Sequence, residues 1–276
     1  MAEEFSLLMS VWRGDDPGFL SAAFTSVVHD QTRRPDDVVL VQDGPVTPML
    51  AETIARLVES SPVPTTVLAL DANVGLGVAL DKGMAACAHD IIARMDADDI
   101  ALPHRFTVQV PLVEAGVDLV GSSMLEFGSD PADIVGRRVP PIDPVVIVRY
   151  ARFYQPFNHP TVVYRRSVVE AAGGYRHLAL MEDYLLFAKM IERGARVANV
   201  EEPLVLYRVG AGAYARRGGV AILKSEWRLQ RQLVDMGFTS RAQFIRNVVV
   251  RGGYRLVPEP VRKTAYRALI ARRGER

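Results

Sequence analysis

Four short apolar runs decide what this chain can fold into: FSLLMSV (5–11), DVVLVQD (37–43), TTVLALD (65–71) and DIIARMD (90–96). Each is continuously apolar instead of alternating, which is how a strand covered on both faces reads. Helix-compatible segments lie between them, at about 18–30, 46–60 and 75–89. Strand, helix and strand repeated at this spacing predict an α/β fold with a mostly parallel sheet and helices on both faces. The second, third and fourth runs each end on an acid: Asp43, Asp71 and Asp96. Ligands of open α/β sheets bind beyond the carboxyl ends of the strands. The pattern therefore predicts acids converging on one edge.

The fourth run continues as RMDADDIALPHRF, with Asp96, Asp98 and Asp99 within four residues. Carboxylates that close repel one another unless a positive partner sits among them. A hard divalent cation carrying a phosphorylated ligand would be such a partner; solvated loop charges are the bland alternative. Asp99 could also cap the helix expected from Pro103 onward. Arg94, at the same edge, would either orient the acids or meet a phosphate. Asp43 precedes Gly44 in a D-G-P turn, and Asp71 and Asn73 open the next helix, so capping competes with ligand binding there. Further on, residues 117–127 read as a strand, a proline-rich stretch follows from about 140, and MEDY opens a helix near 182.

Of the 276 residues, 49% are hydrophobic and 24% charged, which suits a globular protein with a sizeable core. The lone cysteine, Cys87, rules out an internal disulfide, suits a reducing compartment and reads as a buried small hydrophobe. The N-terminus is acidic and lacks a cleavage signature, and no apolar run is long enough to span a membrane, so a cytoplasmic location is expected. The net charge of +1 hides an asymmetry: from Lys224 onward there are 13 Lys/Arg against 4 Asp/Glu, leaving 20 against 28 in the rest. Residues 216–276 thus read as a basic amphipathic helical extension. Contact with the inner membrane surface and a solvated lid over the acidic body are its two readings. The acidic body and the lack of a reader motif argue against nucleic acid.

RMDADD at a strand end, behind three strand–helix units, resembles the D-x-D motif of GT-A glycosyltransferases. The wider pattern resembles their family 2, an inverting group that builds polysaccharides and cell-surface glycans. The likeness covers about residues 5 to 210 and is carried by an ordered set: LLMSVWRGDDPGFLSAAFTSVVHDQ, VLVQDG, DANVGLGVALDKGMAAC, RMDADDIALPHRF, NHPTVVYRRSVVEAAGGY, MEDYLLFAKMIERG and PLVLYRV. It implies a GT-A domain at 1–215, with a nucleotide-sugar half at 1–115 and an acceptor half at 116–215. It also implies a UDP-, dTDP- or GDP-linked donor, a saccharide or lipid-linked acceptor, and Mn²⁺ or Mg²⁺ as cofactor. By the same resemblance Asp98 is the metal ligand, Asp96 holds the ribose and metal-bound water, and Asp43 accepts from the nucleotide base. Asp183 is the general base, and Glu182 beside it binds acceptor hydroxyls. Asp71 and Asn73 are further donor-side candidates. His159 would meet the metal or an acceptor hydroxyl, and Arg208 would clamp the diphosphate. SVWRGDD departs from the family's usual proline-containing turn, and Asp81 stands where Asn is commoner.

Two other functions compete. A sugar-phosphate nucleotidyltransferase needs a glycine-rich basic loop directly after the first strand, whereas here Gly14 is followed by two acids. A non-catalytic carbohydrate-binding protein would have no use for both acid centres.

Overall fold

The computed structural model describes residues 2–209 and 220–253. Strands β1 (Phe5–Trp12), β2 (Asp37–Asp43), β3 (Thr65–Ala69) and β4 (Ile91–Asp96) alternate with helices α1 (Pro17–Val28), α2 (Pro48–Ser60) and α3 (Leu76–Ala86). β3, β2, β1 and β4 lie side by side in that order, all parallel. The sheet then changes character. β5 (Ile100–Ala101), α4 (Arg105–Glu114), β6 (Leu119–Phe127) and β7 (Ile134–Arg138) follow in the chain. After them come α5 (Pro144–Tyr150), β8 (Val163–Arg165), α6 (Arg166–Ala171), α7 (Glu182–Glu192) and β9 (Val197–Arg208). β8 joins β4 and β6 antiparallel, while β9 runs parallel to β6 and antiparallel to β5. The sheet is thus parallel in its first half and mixed in its second, and its long ladders are the parallel ones, in keeping with the mostly parallel sheet the sequence suggested.

Continuously apolar strands follow from two cores. On one face Leu7, Met9, Val38 and Leu40 pack with Phe24 of α1, Leu50 of α2 and Phe106 of α4. On the other, Leu8, Val39 and Val41 pack with Leu80 of α3 and Phe187 of α7. Neighbouring strand residues point to opposite faces, so a strand between two helical layers must be apolar at every position. Three helices open on one device: Asp16, Thr47 and Asp143 cap α1, α2 and α5, each followed by proline at the first helical position. Each such cap stabilises by roughly 1 kcal/mol, and proline has the backbone angle of the first turn already set.

Two further helices, α8 (Val220–Asp235) and α9 (Arg241–Asn247), and a π-helical turn at Val248–Gly252 close the described chain. Leu229, Leu233 and Phe238 of this unit are buried in the same core as α7. The extension anticipated from residue 216 is therefore packed on the body as far as Gly253; residues 210–219 and 254–276 lie outside the described residues.

Candidate active site

At the end of β4 the chain must turn away from the sheet, and it does so through Ala97–Asp99 before the short β5. Asp96, Asp98 and Asp99 present carboxylate oxygens within 4.8 Å of one another. Asp99 is fully buried: its Oδ1 accepts the Arg208 backbone N–H at 2.8 Å, while Oδ2 has no hydrogen-bond partner among the described residues. Burial, then repulsion from Asp96 and Asp98, holds the Asp99 carboxyl well above the usual carboxylate range. Burial with Asp96 and Asp15 nearby pushes Asp98 up to about 6. An orphaned buried oxygen among three hard oxygen donors fits a divalent cation, which would relieve both costs.

Asp99 does not cap α4. His104 occupies that cap position without a side-chain bond, and Asp99 instead ties the β4 turn to the end of β9. Arg208 completes the tie: its Nε donates to the Asp98 carbonyl at 2.9 Å, and its guanidinium lies over the rings of Phe19 and Phe127 at 3.8 and 4.5 Å.

A second acid centre lies at the first turn of α7. The Asp183 side chain is 16% exposed; its Oδ2 accepts from Gln155 Nε2, and its Oδ1 accepts from the Tyr184 N–H at 2.7 Å. His159 sits with Nδ1 at 3.8 Å from the same Oδ2, and its Nε2 meets the Tyr175 hydroxyl at 2.9 Å. Burial, with Arg94 nearby, drives the imidazole pKa well below its ordinary value, which favours its neutral form. It joins the α7 centre and not the carboxylate cluster. Burial raises Asp183, and burial with the Asp183 charge pushes Glu182 up to about 7. Glu182 lies against Gly77 of α3, where an added Cβ would stand 3.1 Å from Glu182 Cβ. Gly77 therefore admits a protein side chain.

Arg94 joins the two centres. It is 1% exposed and donates through Nη2 to Asp96, while Nε and Nη1 have no hydrogen-bond partner among the described residues. Its positive charge acts on Asp98 and Asp99 on one side and on Glu182, Asp183 and His159 on the other. One buried cation thus underlies both carboxylate groups, and isolating it from them would leave an uncompensated buried charge. Arg105, which sequence reasoning missed, is fully buried and donates to the Arg94 carbonyl at 2.7 Å. Gln155 and Tyr175 were also missed. The only signals for them were a glutamine within the aromatic run RFYQPF and a tyrosine directly after a glycine pair.

The donor-side acids divide. Asp43 is buried, and its two oxygens accept from the N–H groups of Val74 and Gly75 at 2.7 and 3.0 Å. It braces the loop that leads into α3, and Gly44 at φ +83° lets that loop approach, since a Cβ there would stand 2.5 Å from Asn73 N. Asn73 returns a bond from Nδ2 to the Asp43 carbonyl at 3.3 Å. Asp71 lies two residues past the end of β3 and is exposed. Neither Asp71 nor Asn73 caps α3, because Gly75 holds that position without a side-chain bond. Asp81, the departure from the family pattern, accepts the Tyr175 N–H at 2.9 Å and so fixes the turn that presents Tyr175 to His159.

Residues 8–172 match the model of Glycosyl transferase family 2. The chain belongs to that family. An uncharacterised glycosyltransferase of Haemophilus influenzae is 38% identical over 97% of this chain and 99% of its own length. The amylovoran biosynthesis glycosyltransferase AmsE of Erwinia amylovora is 35% identical over 95% and 97%. A UDP-Gal:α-D-GlcNAc-diphosphoundecaprenol β-1,3-galactosyltransferase of Escherichia coli is 32% identical over 98% and 97%. Among solved structures, S. aureus TarS in complex with UDP-GlcNAc superposes with a TM-score of 0.68 at 15% identity, over 89% of this chain and 70% of that one. The Pyrobaculum calidifontis mannosyltransferase PcManGT in complex with GDP-Man and Mn²⁺ gives 0.64 at 16%, over 98% and 75%. The family 2 transferase is thus an enzyme of GT-A fold, as its sequence implied.

Proposed function

We propose that this transferase moves a sugar from a nucleotide-diphospho-sugar to a hydroxyl on a lipid-linked saccharide, with inversion, in the synthesis of a cell-surface polysaccharide. The observation that carries the reading is the pair of carboxylate centres sharing the buried Arg94, one of them holding an orphaned Asp99 oxygen. Asp98, with Asp96 and Asp99 beside it, would hold Mn²⁺ or Mg²⁺. The bound ion would supply Lewis-acid stabilisation of the departing diphosphate. Asp96 then stands by the ribose, and Asp43, with Asn73 on its carbonyl, lines the base-binding end. Asp71, exposed beyond β3, is at most a peripheral donor contact. Arg208 lies against the Asp98 turn, where its guanidinium reaches the diphosphate.

Asp183 takes the proton from the acceptor hydroxyl as that oxygen attacks the anomeric carbon from the face opposite the leaving group. A carboxylate offers about four acceptor positions. The two bonds to Asp183 therefore fix its orientation and leave room for a hydroxyl. His159, held by Tyr175, supports the same carboxylate, and Glu182 meets acceptor hydroxyls. The polysaccharide relatives and the diphosphoundecaprenol named for the E. coli enzyme support the choice of acceptor. The test is a panel of UDP-, dTDP- and GDP-sugars scored by thermal unfolding with and without Mn²⁺. One nucleotide class should raise the midpoint only when Mn²⁺ is present, because ligand bound to the native state stabilises by mass action. Equal shifts without the ion would remove the metal from the reading.

A lipid-linked acceptor requires the enzyme at a membrane, and no described helix is long and apolar enough to cross one. Lys224, Trp227, Arg228 and Arg231 recur at helical spacing on the exposed face of α8. Ile245 and Val249 of the following unit are 62% and 66% exposed, and Trp227 packs edge-on against Phe244 at 5.2 Å. A cleft of about 380 Å³ between α8 and the π turn opens beside Trp227 and shares no residue with the carboxylate centres. Aromatic and aliphatic side chains ringed by cations suit the interface of an anionic bilayer. Each basic residue near such a surface contributes roughly 1 kcal/mol. Replacing Lys224 and Arg228 by glutamine should therefore weaken sedimentation with phosphatidylglycerol vesicles by about thirtyfold. Unchanged binding, or binding insensitive to salt, would leave this face as a solvated lid.

A further inference from the structure

Three consecutive backbone carbonyls outside any helix or strand each accept a hydrogen bond from a side chain. The Tyr184 hydroxyl, next to Asp183 on α7, reaches Ala151 O at 2.8 Å. Asn247 Nδ2, at the end of α9, reaches Arg152 O at 2.8 Å, and Arg251 Nη1, in the π turn, reaches Phe153 O at 3.0 Å. Two residues later Gln155 donates to Asp183. The donors are themselves fixed from behind. Arg251 grips Glu226 of α8 through Nε at 2.5 Å and Nη2 at 3.1 Å, and Glu226 is 1% exposed. Gln230 donates to Glu226 at 3.1 Å and accepts from Asn247 at 2.9 Å. The Arg251 guanidinium also lies over the Tyr184 ring at 5.1 Å.

Adhesion alone does not call for such a network. A buried ion pair often stabilises no better than well-packed apolar residues of the same volume, and its best-attested use is to fix one arrangement. What is fixed here is the short turn that follows α5, whose N–H groups bond back to α5 while its carbonyls are held by the C-terminal unit and α7. Its conformation sets where Gln155 can reach.

We propose that the C-terminal helical unit positions the catalytic base: Asn247 and Arg251, backed by Glu226 and Gln230, hold residues 151–155 so that Gln155 orients the Asp183 carboxylate toward the acceptor. The proposal rests on Asp183 being the base. Asn247 and Arg251 touch no substrate and act as positioning residues. The same unit carries the exposed Trp227 face, so the surface offered to the membrane and the base are joined by one short run of hydrogen bonds.

The test compares Asn247→Ala, Arg251→Met and Gln155→Ala in the full chain, with the nucleotide-sugar that the wild type turns over fastest and a soluble α-GlcNAc-diphosphate alkyl ester as acceptor, so that membrane attachment plays no part. Misplacing a reacting group by about 1 Å can cost a hundredfold. Each variant should lose about tenfold to a hundredfold in kcat, with nucleotide and Mn²⁺ affinity by calorimetry changed less than about twofold. The double variant Gln155→Ala/Arg251→Met should be no slower than its slower parent, because both changes break one chain of contacts. Amide hydrogen exchange should accelerate at residues 152–155 in Asn247→Ala without substrate present. Losses that multiply in the double variant, or full kcat in a folded Arg251→Met, would overturn the proposal. Should Arg251→Met fail to fold, Asn247→Ala decides the matter, since it leaves the ion pair intact. If the positioning variants are silent while Asp183→Asn is dead, only the positioning role fails; if Asp183→Asn itself turns over normally, the base reading fails first.

Discussion

Replacing Asp98 by asparagine should stop sugar transfer at saturating donor while leaving a folded protein. The two halves of that result have one cause. In the free enzyme the Asp98 carboxylate is costly: burial and the charges of Asp96 and Asp15 all work against its ionised form. A neutral amide of nearly the same shape removes repulsion and introduces no cavity, so the unfolding midpoint without metal should not fall. On the proposed mechanism the same charge is needed during transfer, because Mg²⁺ on a phosphorylated substrate is usually held to the protein through only one or two carboxylates. Losing several kcal/mol of leaving-group stabilisation corresponds to at least about a thousandfold in rate. The measurement is turnover beside calorimetric titration of Mn²⁺ with nucleotide. Asp98→Asn should lose both, whereas a variant with normal Mn²⁺ uptake and normal turnover would move the ion elsewhere.

The reason the place of the acid cluster was legible in the sequence, and the contacts of Asp99 only in the structure, lies in the range of the contacts. β4 is a continuous apolar run that stops on Asp96, so the position of the cluster at a strand end follows from local pattern. The part Asp99 plays depends on Arg208, whose N–H it accepts across more than a hundred residues of chain. No periodicity registers such a pairing. Asp71 shows the opposite error. Its run looked like the other strand ends, yet β3 stops at Ala69, and the acid is left exposed beyond it. The acceptor half was harder throughout. β8 has only three residues, and the stretches GARVANV and PLVLYRV join into the single bulged strand β9 across Pro203. A proline inside a run ordinarily argues against a strand; here it sits at a register shift with β6, where one ladder bond is already lost. Gln155 and Arg251 were illegible for the same reason as Arg208. Their partners are remote in sequence, and their chemistry appears only when those partners meet.

Asp183→Asn should nearly abolish transfer to acceptor and leave nucleotide and Mn²⁺ binding close to normal. On the proposed mechanism the leaving group and its ion would already be bound in the ground state, whereas a base acts only while the acceptor oxygen attacks, so its loss would fall on kcat. Removal of a general base typically costs about 10²–10⁴ in rate. Glu182 is the nearest substitute, but successive residues of a helix point about 100° apart. Its side chain lies along Gly77 and accepts the Met181 N–H at 3.0 Å, while Asp183 is the one that Gln155 orients. Glu182→Gln should accordingly be the milder change, acting on acceptor affinity more than on turnover. Burial raises the Asp183 pKa, which makes its ionised form a better proton acceptor near neutrality. The sign follows: protonation removes the base, so kcat should fall as pH drops, with its acid limb above the ordinary carboxylate range. In Asp183→Asn the residual rate should lose that limb. A surviving limb of the same position, or a Glu182→Gln variant slower than Asp183→Asn, would transfer the role of base to Glu182.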